Sequence, residues 1–196
     1  MALPAWVPEI ETKPAPMPLL LVQSFVNTWE GDTGVDLLDD LATATRWLGE
    51  AGLVEGAFGA PDLERARVLR EAIRALLVRN ASGEAPDAEE RRAVAALAEG
   101  CLFRGVVAED GRIELEPELG APPLRTALLL LIRDAQRDGT WSRLKACRNP
   151  DCQWAYYDRS HAGRGAWCDM AVCGNRMKNR NLRSRRATRR SGPATA

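Results

Sequence analysis

Two pairs of cysteines, Cys147/Cys152 and Cys168/Cys173, constrain this chain more than anything else in it. Four of its five cysteines fall in one stretch of about thirty residues, CRNPDCQWAYYDRSHAGRGAWCDMAVCGNR, each pair spaced Cys-x4-Cys with fifteen residues between the pairs. A segment this short cannot bury enough surface to fold unaided, so something must staple it. Two disulfides, a catalytic metal and a structural zinc are the staples open to four cysteines. Four thiolates in two close pairs suit a tetrahedral zinc ion whose closed shell leaves no position for a reacting water. Disulfides would want a secretory signal, yet the first eighteen residues hold five prolines and no continuous apolar core. No run approaches the ~18 apolar residues of a membrane span. Reduced thiols, a cytoplasmic location and one structural Zn2+ on Cys147, Cys152, Cys168 and Cys173 form the coherent set.

Charge adds a second constraint. The formal net charge is zero, but residues 140–196 carry 13 Lys/Arg against 3 Asp/Glu, a net +10, while residues 1–139 carry 14 against 24, a net −10. An acidic body followed by a basic end points to a polyanion partner. After Cys173-Gly174 the chain reads NRMKNRNLRSRRATRR, with no proline until Pro193. A helix over 175–190 is expected, with Arg176, Arg180, Arg183 and Arg190 near one face and Lys178, Arg185, Arg186 and Arg189 flanking it. Charge this concentrated repels itself until anions neutralise it, and nucleic-acid phosphates are the obvious source. The plainer alternative is a basic tail that neutralises the acidic body within the same chain.

At the cysteine stretch the sequence resembles the CGNR zinc finger proteins. The resemblance rests on Cys147-Arg-Asn-Pro-Asp-Cys152, Tyr157-Asp158-Arg159-Ser160, Trp167-Cys168-Asp-Met170-Ala171 and Cys173-Gly174-Asn175-Arg176, all in order. Gly165 and Ala166 stand where that family usually carries basic residues. The resemblance implies a C-terminal zinc module that binds nucleic acid in bacterial transcription regulators. Upstream, Phe25-Val26-Asn27-Thr28, Trp47-Leu48 and Ala51-Gly52-Leu53 resemble the ABATE domain, which commonly precedes such a finger. Together the two cover about residues 19–186.

The remaining segments read as a mainly α (α+β) protein: a helical N-terminal domain with one β-hairpin, then a small four-cysteine zinc module ending in a basic helix. Residues 1–18 form a Pro-rich arm, 19–139 the ABATE-like domain, 140–190 the finger with its Arg-rich helix, and 191–196 a disordered tail. Leu19–Thr28 is apolar enough to be a buried helix or strand. Asp39 or Asp40 caps a helix to about Glu50, with Gly52 as its stop. Leu63, Ala66, Leu69, Ile73, Leu76 and Leu77 line one face of a helix over 62–80. Glu64, Arg67, Arg70, Glu71 and Arg74 then form a solvated face. Asp87-x-x-Glu90 is a capping-box variant for a helix to Glu99. Asp110-Gly111 signals a two-residue hairpin turn, which would set Ala108 opposite Ile113, Val106 opposite Leu115, and Glu109 against Arg112. Cys101, just before it, reads as a buried apolar residue.

Pro122-Pro123 opens a helix of about sixteen residues whose stripe is Leu124, Leu128, Leu131 and Ala135, the expected central core helix, ending at Gly139. The short connector 140–146 keeps the finger close to the body, and Arg143 and Lys145 begin the basic zone. Between the ligands, Trp154, Tyr156, Tyr157 and Trp167 suit a small core around the metal, and His161 a loop. Asp158 with Arg159 would brace that loop. No nucleophile, general base and open metal site can be assembled, so no catalytic residue and no enzyme activity is expected. The expected function is zinc-dependent nucleic-acid binding in transcriptional regulation, with Arg176, Lys178, Arg180, Arg183, Arg185 and Arg186 as contacts and DNA ahead of RNA. The alternative is a protein-interaction module in which the basic finger docks an acidic surface. A homodimer and an unidentified small-molecule ligand of the N-terminal domain remain compatible with the chain.

Overall fold

Helix α1 (Leu19–Val26) carries the densest apolar stretch of the chain. In the computed structural model, which describes residues 3–190, seven of its eight residues are buried. It packs against α3 (Ala60–Ser82), α5 (Pro123–Asp138) and strand β6 (Ala155–Tyr157). The central position thus belongs to α1, whereas the sequence pattern pointed to α5. Of the apolar run 127–132 in α5 only Leu128 and Ile132 are buried. α1 is enclosed on all sides because polar Gln23 and Asn27, one turn apart, bind backbone on the side where apolar packing stops.

The remaining helices begin and end where local chemistry dictates. Asp40 caps α2 (Leu41–Glu50) by accepting from Thr43 N at 2.9 Å. Asp87 and Glu90 close a reciprocal capping box on α4 (Ala88–Ala98). Gly139 terminates α5 at φ 83°, a left-handed conformation that favours glycine. Sheet structure is confined to three two-stranded antiparallel pairs among the described residues: β1 (Trp29–Glu30) with β2 (Val35–Asp36), β3 (Phe103–Val107) with β4 (Ile113–Pro117), and β5 (Leu144–Ala146) with β6. The fold is mainly helical, and two of these hairpins add to the one the sequence signalled.

The signalled hairpin sits one residue out of the expected register. Val107 pairs with Ile113 and Gly105 with Leu115, so Glu109, Asp110 and Gly111 form a three-residue loop, with Gly111 at φ 83°. A one-residue slip exchanges the faces of a strand, and the adjacent Val106-Val107 made either register equally apolar. Phe103, Val107, Ile113 and Leu115 therefore share a face, and Arg112 donates to Asp110 (2.7 Å) rather than to Glu109. Cys101 is half-buried rather than buried.

The largest departure concerns α3. Arg70 and Arg74, expected on a solvated face, are 5% and 2% exposed. Arg70 makes a two-pronged pair with Asp36 (2.5 and 2.9 Å) and donates to Thr28 Oγ1 (3.2 Å). Burial opposes ionisation of Asp36, but the bonded guanidinium wins and holds its carboxyl below the usual range. Arg74 donates to Val26 O (2.8 Å), a terminal carbonyl of α1, and to Gln153 O (3.0 Å), while its guanidinium stacks 4.8 Å from the Trp29 ring. Helical periodicity marks where apolar residues lie, but a long side chain can turn back under its helix when carbonyls need donors.

The N-terminal arm is folded onto the body. Val7 and Ala15 enter the core, and Trp6 O accepts from Trp47 Nε1 at 2.9 Å. Glu11 accepts from Lys13 N (2.8 Å), Asn27 Nδ2 (3.2 Å) and Trp154 Nε1 (3.2 Å). Lys13 O accepts from Tyr157 N at 2.9 Å, so the arm lies along β6. The tail expected at 191–196 lies outside the described residues.

Two outcomes follow. Asn27→Ala orphans the buried N–H of Ala155 and removes one of the two donors to its C=O, and should cost roughly 1–3 kcal/mol in chemical denaturation. Burial raises the Glu11 carboxyl above its ordinary 4.5, against the hydrogen bonds it accepts. An acid raised on folding supports the fold while protonated, and that support is lost as pH rises through the folded value. Relative to Glu11→Gln, the native chain should therefore lose stability as pH climbs above about 4.5, measured as denaturation midpoints across pH.

Candidate metal centre

The first cysteine pair sits at the tip of the β5–β6 hairpin. Register Lys145↔Tyr156 and Ala146↔Ala155 continues through Cys147 N donating to Trp154 O at 2.9 Å. Cys147 and Cys152 thus flank a tight knuckle that Asn149 builds. Asn149 is fully buried; its carbonyl accepts from Cys152 N and Gln153 N, both at 3.0 Å, and its Oδ1 accepts from Asp151 N at 3.3 Å. Its Nδ2 points at Cys173 Sγ, 3.7 Å away, where an N–H dipole favours a thiolate. Sequence reading assigned Asn149 no role. An Asn two residues after a ligand is an Asx-turn signal that marks it in retrospect.

The second pair comes from the opposite side. Asp169 caps a single π-type turn (Met170–Gly174) by accepting from Val172 N at 2.8 Å, and that turn runs directly into α6 (Asn175–Arg190). A π-type turn is a frequent companion of functional sites and here presents Cys173 inward. A Cβ on Gly174 would lie 2.5 Å from Met170 Sδ and 3.1 Å from the Trp167 ring, so a larger residue there would displace the Met170 side chain.

All four Sγ atoms lie within 4.8 Å of one another, with Cys152–Cys168 at 3.6 Å and Cys168–Cys173 at 3.8 Å. A tetrahedral shell with Zn–S near 2.3 Å has edges of about 3.8 Å. The donor set therefore fits one structural zinc site, and the fifth cysteine, Cys101, is not part of it. Crowding shapes the thiols' acidity: hydrogen bonds from Cys152 and then Cys168 push Cys147 down, and donation to Cys147 pushes Cys152 up. Four thiolates this close need a divalent cation to neutralise them, which zinc supplies when bound.

Around the centre, Trp154 and Tyr156 are buried with the ligands and Trp167 is half-buried beside them. Tyr157 instead joins the main core. Tyr156 donates its hydroxyl to Gly165 O at 2.8 Å. His161 is exposed in the loop, as expected. The loop brace is different from the expected Asp158–Arg159 pair. Asp158 bonds Lys145 Nζ (2.8 Å), Ser160 N (3.0 Å) and Gly165 N (2.8 Å), while Arg159 donates to Pro14 O (2.7 Å). Burial opposes the Asp158 charge, yet these donors hold its carboxyl well below the usual range. Lys145 is 4% exposed and so leaves the basic zone entirely. Gly165 admits the carboxylate: a Cβ there would sit 2.8 Å from Asp158 Oδ1.

The module is seated on the body through main-chain groups. Asn27 Oδ1 accepts from Ala155 N and its Nδ2 donates to Ala155 O, both at 2.8 Å, and Gln23 Nε2 adds a bond to the same carbonyl at 3.2 Å. Asn80 donates to Trp141 O and Leu144 O (2.9 Å each), and Arg148 donates to Ala81 O. In the β1–β2 turn, a Cβ on Gly31 would lie 2.6 Å from Asp151 O and 2.8 Å from Cys152 O, so only glycine lets the turn rest on the knuckle.

The basic residues divide. Every described side chain of α6 is exposed except half-buried Met177. Arg176 Nη1 lies 2.6 Å from Asp32 Oδ1, and Arg180 Nη1 lies 3.5 Å from Asp151 Oδ2. Lys178 and Arg183 are exposed and form no ion pair with a described residue. The side chains of Arg185 and Arg186 lie outside the described residues. Asn175 donates to Ala171 O (3.0 Å), a turn role.

Two family models match the chain. The ABATE model, described as "Putative stress-induced transcription regulator", matches residues 20–137. The CGNR zinc finger model matches residues 143–186. No curated protein matches the chain. Elemental analysis should find about one zinc per chain, and Cys168→Ser should lose it together with the near-ultraviolet signature of Trp154, because zinc supplies roughly 10–16 kcal/mol of apparent binding in small finger peptides.

Proposed function

The chain belongs to the ABATE family and ends in a CGNR zinc finger, and from that premise we propose that it is a nucleic-acid-binding transcription regulator. The observation that carries this reading is the exposed, arginine-rich α6 emerging directly from the zinc ligand Cys173. The centre fixes where the helix starts and how it is turned. Phosphates then meet Arg183 and Lys178 first, with Arg185 and Arg186 further along the helix. Trp154 and Tyr156 are buried, so base stacking on them plays no part in this reading. Residues 19–139 serve as the regulatory body and residues 140–190 as the binding module. Duplex DNA is the preferred partner over RNA. No helix of the described residues is long and apolar enough to cross a membrane. The protein acts in a reducing compartment such as the cytoplasm, and it is not an enzyme, since four cysteines fill the metal shell.

A second reading has one observation in its favour. Arg176 and Arg180 already pair with carboxylates of the same chain, so α6 has affinity for an acidic protein surface and could dock one in a partner.

Gel-shift titration across salt separates the two. Nucleic-acid binding predicts log K falling linearly with log salt, and Arg183→Ala should flatten the slope by about 0.9. Arg180→Ala should change it less, because Asp151 already shares that charge. Absence of binding to any duplex or single strand at low salt would sink the first reading and leave the second.

A further inference from the structure

Arg176, Arg180 and Arg183 fall on one face of α6, at i, i+4 and i+7, and this face is neutralised from one end only. At the zinc end, Asp32 in the β1–β2 turn lies 2.6 Å from the Arg176 guanidinium. One turn on, Asp151 of the knuckle approaches Arg180 at 3.5 Å, and at Arg183 no described carboxylate pairs. Asp32 does not reach Arg176 by the chance of a long side chain. Its turn is seated on the knuckle at Gly31, where a Cβ would meet the Asp151 and Cys152 carbonyls at 2.6 and 2.8 Å. The body therefore holds a carboxylate at a set place over the first turn of α6. The pair is half-exposed, 48% for Arg176 and 35% for Asp32, so a competing anion has access to it.

We propose that Asp32 is a built-in occupant of the first phosphate seat on α6, which nucleic acid must displace from Arg176. A carboxylate and a phosphate present the same kind of oxygen to a guanidinium, so they compete for one donor. With Glu30 and Asp169, Asp32 also lines a cavity of about 210 Å3 beside Cys152, Cys168 and Cys173. Phosphate engages α6 from the Arg183 end and reaches Arg176 last. The N-terminal body thereby sets the affinity of the C-terminal helix, and a shift of the β1–β2 turn would change it. This inference rests on the proposed function.

The test is a double-mutant cycle on the full-length zinc-loaded chain: native, Asp32→Asn, Arg176→Ala and both together, with Glu30→Gln as a charge control in the same turn. Each is titrated against a 20-base-pair duplex and, in parallel, against heparin, after zinc content confirms folding. Asp32→Asn should tighten duplex binding about two- to fivefold, the span of an exposed ion pair, because no carboxylate then competes for Arg176. The gain should vanish in the Arg176→Ala background. An equal gain without Arg176, an equal gain from Glu30→Gln, or weaker binding by Asp32→Asn would overturn the proposal. If heparin shows the cycle while no duplex binds, Asp32 still occupies an anion seat and only the nucleic-acid reading fails. If neither binds, both fail.

Discussion

The structure hangs on an amide clasp between Asn27 and Ala155. A buried peptide unit at the edge of a two-stranded hairpin needs a donor and an acceptor, and Asn27 offers both from the C-terminal cap of α1. Its amide stands in for a third strand. Gln23, one turn earlier, doubles the acceptance at Ala155 O and also binds Ala15 N and Lys13 O, tying the arm into the same knot. Net values near 1 kcal/mol per hydrogen bond understate such a clasp, because the alternative is unsatisfied backbone in a dry interior. The zinc module is short of apolar surface, and this seam supplies neighbours for its inner strand.

Buried charge reinforces the seam. Arg74 spends its donors on α1 and on the finger residue Gln153, and Arg70 pins the β1–β2 hairpin through Asp36. Lys145 and Asp158 do the same inside the module, at 5% and 4% side-chain exposure. Such pairs gain little over apolar packing, but each half is costly without the other, so they favour one arrangement of the chain. The β1–β2 turn is consequently held over the zinc knuckle. That placement brings Asp32 to Arg176 and gives the acidic body its contact with the basic helix.

Much of this was legible in the linear chain, and the reasons differ by residue. The four ligands were legible because coordination chemistry acts through residue type and spacing. The Asp87 cap, a cap at Asp39 or Asp40, the Gly139 stop and the 175–190 helix were legible because they follow from interactions within a few residues. The hairpin register was ambiguous because Val106 and Val107 are interchangeable in a period-2 pattern. Arg70, Arg74 and Lys145 misled because charge predicts exposure only when no buried carbonyl or carboxylate is waiting. Asn27 and Asn149 carried no readable role, since an amide's partners are set by what the fold brings near it.

The sequence by itself determined that a zinc staple closes the C-terminal module and that a strongly basic helix leaves it. Both rest on local chemistry: thiolate spacing and uninterrupted helical residues. Only the tertiary structure decided that the staple is clasped to α1, that Gly31 lets the β1–β2 turn lie on the knuckle, and that Arg176 meets Asp32. Those contacts join residues more than a hundred positions apart, where the outcome depends on which backbone groups remain unpaired after the core has closed.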